Sequence, residues 1–186
     1  KINTRYGVDV ERLIVMPFSI NPIINLASAG KLNADDVLSS YNIERGFFFY
    51  PAQFWPHKNH VRILQALKIL RDRGKFYKVV FVGGDKGGLK HINIMIDKLQ
   101  LTDQVKILGF VENDHMAILY RACATVVVPT YFGFTNIPPI EAWYFDKPLI
   151  YPSCFKGQVQ ESALLFDPDE ASELADSMTQ SLLPST

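Results

Sequence analysis

The sequence has little that would mark a secreted, disulfide-rich or membrane-spanning protein. Among its 186 residues only Cys123 and Cys154 are cysteines. Two cysteines at this distance form neither a disulfide framework nor a zinc-ligand spacing, so we expect reduced thiols. The longest apolar runs, near residues 125–129 and 163–166, are far too short for a transmembrane segment. No signal-peptide pattern opens the chain, which favours a cytoplasmic location.

An excess of charge of either sign is also lacking. The 19 Lys and Arg residues balance the 19 Asp and Glu residues. A neutral chain has no overall field that would recruit nucleic acid, so we expect no nucleic-acid partner. Neither a GxGxxG nor a P-loop pattern occurs, and no metal-ligand motif is present. What is present is an ordinary globular composition, 48% hydrophobic and 20% charged, at the length of one domain.

Short apolar runs alternate with amphipathic stretches along most of the chain. The pattern predicts strands at 46–50, 78–82, 105–108, 124–128, 148–151 and 163–166, and helices at 58–73, 89–99, 113–122, 138–145 and from about 169 onward. Strands at this spacing pair in parallel, because parallel neighbours need a crossover. The predicted fold class is therefore α/β, a Rossmann-like open, doubly wound parallel sheet flanked by helices. Ligands of such sheets bind beyond the carboxyl ends of the strands.

A lysine lies where the first predicted strand leads into the first long helix. Lys58 could neutralise a ligand phosphate from this position, or it could be a solvated lysine in the first turn of the helix. His57 and His60 are three residues apart, but no carboxylate or cysteine is close to them in the sequence. A surface or capping role is therefore favoured for both histidines over a metal pair.

The stretch 130–142 carries the strongest signal from its residues alone. Asn136 suits a helix N-cap, and the prolines that follow it fit the first helical turn. Backbone amides around Thr135 and Ile137 would then face an anion, helped by the helix dipole. Glu141, about one turn inside, could accept hydrogen bonds from ligand hydroxyls. The alternative is an ordinary capped helix with a solvent-facing glutamate.

The glycine-rich turn at 83–88 follows the second predicted strand. It matches neither of the common phosphate-binding glycine patterns. We expect its glycines to make a tight turn or to let a ligand approach the backbone.

A series of segments resembles those of one enzyme family, in the same order. The segment 49–59 resembles a lysine-bearing donor-phosphate loop, 80–84 the next strand and glycine turn, and 105–111 the segment whose backbone meets the nucleotide base. The further matching segments are 119–124, 129–142, 147–150 and 163–168. Single pieces are weak, but together over 47–178 they resemble the C-terminal, donor-binding domain of the family-4 retaining glycosyltransferases, or glycosyl transferases group 1, which have the GT-B fold.

The resemblance implies transfer of a sugar from a nucleotide-diphosphate sugar to an acceptor, with retention of anomeric configuration. It implies that Lys58 is the catalytic residue that stabilises the diphosphate and that Glu141 holds the ribose. The further donor-binding residues that it implies are Gln53, Gly109, Phe110, Thr135, Asn136 and Ile137. No metal or other cofactor is expected besides the nucleotide-sugar substrate.

Two positions depart from the family pattern. The family usually has two glutamates eight residues apart, and Gly133 stands where the first would precede Glu141. A position that is commonly arginine, five residues before Lys58, is Gln53. These departures remove a sugar contact and some positive charge, for which the amides or side chains of Thr135 and Asn136 could substitute.

The resemblance also implies a division of the chain. We expect residues 1–20 to be the end of an N-terminal domain and its crossover, 21–45 a linker with a short helix near 35–41, and 46–186 the sugar-nucleotide-binding domain. Residues 1–20 themselves predict a helix end at Tyr6 and Gly7 and a strand at 13–16. The implied partners are the missing N-terminal domain and a saccharide or lipid-linked acceptor, and this fragment alone is expected to be inactive. The full-length protein is expected to be cytoplasmic, with a peripheral position at the inner membrane left open.

Three other interpretations remain open on the sequence alone. A sugar-nucleotide epimerase of GT-B architecture would need catalytic carboxylates and a histidine that we cannot place. A degenerate domain retained as an assembly or binding module is suggested by Gly133. A nicotinamide-dependent dehydrogenase is disfavoured by the absent GxGxxG pattern. The base, sugar and acceptor are not determined, although the family resemblance favours cell-surface polysaccharide or glycoconjugate biosynthesis.

Overall fold

The structure, a computed structural model, describes residues 2–14, 19, 32–133, 137–159 and 161–183. The strands are β1 (Phe48–Pro51), β2 (Val79–Val82), β3 (Val105–Leu108), β4 (Thr125–Val127), β5 (Leu149–Pro152) and β6 (Leu164–Phe166). The helices are α1 (Ile2–Tyr6), α2 (Ala34–Ser40), α3 (His60–Asp72), α4 (Leu89–Lys98), α5 (Asn113–Ala122), α6 (Ile137–Tyr144), α7 (Lys156–Val159) and α8 (Ala171–Gln180). Short 3-10 helices lie at Val10–Arg12, Pro56–Lys58 and Ser153–Phe155.

The six strands form one sheet in the order β3-β2-β1-β4-β5-β6, and every neighbouring pair is parallel. Phe48 of β1 pairs with Val79 on one side and with Thr125 of β4 on the other. The strand order therefore reverses between β1 and β4, where crevices open beyond the carboxyl ends of such strands. The predicted doubly wound parallel sheet is confirmed.

The core forms because both faces of the sheet are covered by helices. All four residues of β2 are buried, and so are the first three of β1. This explains why the strands read as continuous apolar runs. On α3 the residues Ile63, Leu64 and Leu67 are fully buried, and the helix packs against α4 and α8. Full burial of each such side chain contributes about 1.5–3 kcal/mol to folding.

One predicted helix boundary and one predicted strand differ from the structure. The long helix begins at His60 rather than at Lys58, because Asn59 has a left-handed backbone (φ 55°) that separates it from the 3-10 turn before it. The helix expected at 113–122 is confirmed as α5, with Glu112 at its N-cap position. The strand expected at 13–16 is not found at residues 13 and 14, the part of it that the structure describes. Ile14 is 86% exposed and does not lie in a strand. Residues 15 and 16 lie outside the described residues.

Candidate functional site

A cavity of about 450 Å³ lies at the carboxyl ends of β1, β2, β3 and β4, where the strand order reverses. Six of the residues predicted to bind the donor line it together: Gln53, Lys58, Gly109, Phe110, Ile137 and Glu141. They come from three separate stretches of the chain, 53–58, 109–110 and 137–141, so the fold itself brings them to one place. Thr135 and Asn136 lie outside the described residues. A cavity of this size matches that of a small-molecule site.

Lys58 lies at the end of the 3-10 turn Pro56–Lys58, not in the first turn of a helix. The turn is held by the backbone, since the Lys58 amide donates to the carbonyl of Trp55 (3.0 Å) and the Tyr50 hydroxyl donates to the carbonyl of Lys58 (3.0 Å). The lysine is half-buried, and that burial lowers its pKa from the ordinary value. A partly desolvated ammonium interacts more strongly with an anion than one in bulk water.

Asn59 fixes this loop against the segment that follows β4. Its side-chain amide is buried and donates to the carbonyl of Pro129 (3.1 Å). The amide of Tyr131 donates to the carbonyl of His57 (2.9 Å), which joins the same two segments a second time. The loop that carries Lys58 is therefore held beside the segment that leads towards α6 and Glu141.

Glu141 faces the cavity from α6 and is only 7% exposed. Its Oε2 accepts a hydrogen bond of 2.5 Å from the hydroxyl of Tyr120 on α5. Burial raises the pKa of the carboxyl group, and the hydrogen bond from Tyr120 acts in the opposite direction. The solvent-facing glutamate of the alternative interpretation is therefore wrong, because this carboxyl group belongs to the wall of the cavity.

The remaining predicted residues form the rim of the cavity. Phe110 is 84% exposed, and its neighbour Gly109 follows directly after β3. Ile137, the first residue of α6, is also exposed. Gln53 is exposed, and its Oε1 accepts a hydrogen bond from the indole Nε1 of Trp55 (3.0 Å). Gly133, where the family usually has a glutamate, is not among the residues that line the cavity, and its carbonyl accepts a hydrogen bond from Nε2 of Gln158 (3.3 Å).

Some residues of the site were not recognised from the sequence. Asn113 and Met116 line the cavity from the first turns of α5, and Tyr120 contacts Glu141 from the same helix. In the sequence they look like ordinary members of an amphipathic helix. Only the folded structure, in which Tyr120 of α5 contacts Glu141 of α6, shows that this helix borders the site. The surface role favoured for His60 is wrong. Its ring is buried among Tyr50, Phe54 and Phe81.

No group of three or more metal-ligating side chains occurs among the described residues. The prediction that no metal or cofactor takes part stays a prediction. Of the helices in the described ranges, none combines the length and the apolar character needed to cross a bilayer.

The open parallel sheet with a ligand-sized cavity at its strand-order reversal defines a Rossmann-like α/β domain. The chain belongs to the family described as glycosyl transferases group 1, which matches residues 39–183. The family resemblance noted from the sequence is confirmed, and with it the assignment to the C-terminal half of a GT-B fold.

Proteins of known name share part of the sequence or the fold. The O-antigen chain mannosyltransferase RfbU of Salmonella typhimurium is 27% identical over 167 residues, covering 89% of this chain and 43% of that protein. The crystal structure of a glycosyltransferase from Rickettsia africae has a TM-score of 0.81 at 16% identity, covering 97% of this chain and 49% of that one. Anabaena HepE in complex with UDP has a TM-score of 0.72 at 21% identity, covering 94% and 49%. The chain thus spans about half the length of these relatives.

Proposed function

We propose that this chain is the donor-binding domain of a glycosyltransferase and that its cavity holds the nucleoside diphosphate of a sugar donor. One observation carries the proposal. A single cavity at the strand-order reversal collects Lys58, Glu141 and the segment at Gly109 and Phe110 from separate parts of the chain. The family supports sugar transfer, and UDP in the HepE complex supports a nucleoside diphosphate as ligand.

In this arrangement Lys58 offsets the charge of the diphosphate. When the bond from the sugar C1 to the β-phosphate oxygen breaks, the nucleoside diphosphate leaves with the electron pair and gains negative charge. A fixed, half-buried ammonium stabilises that charge more than solvent-exposed groups do. The acceptor oxygen forms the new bond to C1, and its proton passes to the departing diphosphate oxygen. We expect the anomeric configuration to be retained.

Glu141 and the rim orient the nucleoside. As a carboxylate, Glu141 accepts hydrogen bonds from ribose hydroxyls, while Gly109 and Phe110 lie beside the base. The amides at 135–137 are proposed to contact the donor as well. The whole protein is proposed to act with a second domain that binds a saccharide or lipid-linked acceptor. RfbU, an O-antigen chain mannosyltransferase, supports a role in cell-surface polysaccharide synthesis.

The first test is a titration of the chain with UDP, GDP, ADP and dTDP, followed by thermal shift and by amide chemical shifts. We expect one base to stabilise the fold selectively. Lys58→Ala should weaken that binding about 10- to 100-fold, since a hydrogen bond to a charged group contributes about 1.5–3 kcal/mol. Lys68→Ala is the matched control, because Lys68 lies on the exposed face of α3 and pairs with Asp72.

A non-enzymatic assembly module remains the second candidate. It is favoured by Gly133, which stands where the family usually has a glutamate. Such a module should show no stabilisation by any of the four diphosphates, and Lys58→Ala should leave its thermal stability with ligand unchanged. That result would overturn the donor-binding proposal.

A further inference from the structure

Tyr120 of α5 is a buried tyrosine that does not line the cavity but contacts a residue that does. Its ring is fully buried, edge-on to Phe49 (centroids 5.0 Å apart) and stacked on Phe145 (5.1 Å). Two aromatic contacts at these angles leave the ring little freedom to move. The hydroxyl is therefore held at a fixed point, 2.5 Å from Oε2 of Glu141.

That hydroxyl acts as a permanent donor to the carboxylate. Burial, followed by the neighbouring charge of Glu141, raises the pKa of Tyr120 well above its ordinary value, so the proton stays on the phenol oxygen. A carboxylate has two oxygens that accept hydrogen bonds. Because Oε2 already accepts from Tyr120, Oε1 is the better acceptor for a ligand in the cavity.

The same hydrogen bond keeps Glu141 able to accept. Burial favours the protonated carboxyl group, which would donate rather than accept on one oxygen, whereas the Tyr120 hydroxyl favours the carboxylate. The charged or titratable groups that line the cavity beside Glu141 are Tyr50 in β1 and Lys58 in the loop after it, among the residues that the structure describes. Tyr120 is the group that contacts Glu141 directly from α5.

We propose that Tyr120 is a positioning residue, which presents Oε1 of Glu141 to a ribose hydroxyl and thereby gives the site its preference for ribonucleotides over deoxyribonucleotides. The inference rests on the proposed function, because it assigns a ligand to the same cavity. Tyr120 does not touch the reacting atoms in this scheme. It acts through Glu141 alone.

The test compares the affinities of UDP, GDP and ADP with those of their 2′-deoxy counterparts, in the wild-type chain and in Tyr120→Phe. The substitution removes the hydroxyl and keeps the ring that packs on Phe49 and Phe145. We expect the wild-type chain to prefer the ribose form of its best ligand about 10-fold. Tyr120→Phe should reduce this preference to about 2-fold or less at pH 6.5, with little change in the affinity for the deoxy form.

The pH dependence separates this role from simple packing. Without the hydroxyl, the pKa of Glu141 rises further, so the carboxylate and part of the ribose preference should return when the pH is raised to 8.5. Glu141→Gln should lack the preference at both pH values. Tyr77→Phe is the matched control, since Tyr77 packs edge-on against Phe48 and its loss of a hydroxyl should change nothing.

Each remaining outcome would overturn either the role of Tyr120 or the proposed function of the cavity. An unchanged ribose preference in Tyr120→Phe, or an equal loss of affinity for the ribose and deoxy forms, would overturn the role of Tyr120. Failure of the wild-type chain to bind any of the diphosphates would overturn the proposed function, and the inference would fall with it.

Discussion

At the rim of the cavity, Gln53 is a neutral residue where the family pattern commonly has an arginine. Its Oε1 accepts from the indole of Trp55, which leaves the amide nitrogen as the end that can donate to an anion. A neutral donor stabilises a diphosphate less than a guanidinium does, because charge-assisted hydrogen bonds are roughly twice as strong. This residue therefore limits how much positive charge the site presents next to Lys58.

Gln53→Arg should tighten binding of the preferred nucleoside diphosphate about 3- to 10-fold at low ionic strength. The gain should shrink when salt is raised to about 0.5 M, because an exposed charge is screened over a few ångströms there. Gln53→Glu, the matched variant of opposite sign, should weaken the same binding. Isothermal titration at two salt concentrations measures both. An equal gain for the uncharged nucleoside would contradict an electrostatic origin.

Among the elements, the turn after β2 and the loop after β1 form one wall of the cavity. The amide of Phe54 donates to the carbonyl of Gly84 (3.0 Å), and the amide of Gly88 donates to the carbonyl of Phe54 (2.9 Å). A Cβ on Gly83 would lie 2.2 Å from the carbonyl oxygen of Ala52. The sequence predicted that these glycines make a tight turn or let a ligand approach the backbone. Gly83 does permit a close approach, but the group that approaches it is the backbone of Ala52 and not a ligand.

Gly83→Ala should therefore push the two loops apart. We expect it to lower the free energy of unfolding by about 1–3 kcal/mol, as overpacking typically does, and to weaken diphosphate binding in parallel. Gly84→Ala is the control, since a Cβ there meets nothing within 4 Å. Urea denaturation of both variants makes the comparison. Equal stability of the two would show that the loops can separate without cost.

The order of strands and helices was predictable because each element has its own apolar periodicity, as in the buried run at Val79–Val82. The boundaries were less predictable where a distant contact sets them. Asn59 ends the 3-10 turn in a left-handed conformation while its side chain bonds to Pro129, and nothing local in the sequence signals that contact. Helix periodicity in the sequence therefore predicted that Lys58 lies in α3, although Lys58 belongs to the 3-10 turn before that helix.

For the molecule as a whole, the residues of the candidate site came from the family resemblance rather than from pattern alone. Lys58 and Glu141 are 83 positions apart in the sequence, and only the reversal of strand order between β1 and β4 brings them to one cavity. Tyr120 was not predicted because a tyrosine on an amphipathic helix is typical of an ordinary core. The domain division at residues 20 and 45 stays a prediction.

The buried His60 makes the stability of the whole fold depend on pH. The side chain is 2% exposed among the rings of Tyr50, Phe54 and Phe81, and burial lowers its pKa from 6.5 to about 3. The unfolded chain takes up this proton at a higher pH than the folded one does. The stability that neutral His60 provides is therefore complete above about pH 6.5 and is lost as the pH falls towards 3.

When the pH is lowered from 7.5 to 5, protonation linked to His60 should lower the free energy of unfolding by about 2 kcal/mol, at 1.36 kcal/mol per pKa unit. His60→Phe keeps an aromatic ring in the same surroundings and should flatten the pH dependence of the unfolding free energy by that amount. His91→Gln, on the exposed side of α4, is the control and should leave that dependence unchanged. Urea denaturation at several pH values measures all three chains. An identical slope in His60→Phe and the wild-type chain would show that another group dominates acid unfolding. If the slope does follow His60, acid should also weaken diphosphate binding, because this ring packs against Tyr50, whose hydroxyl donates to the carbonyl of Lys58.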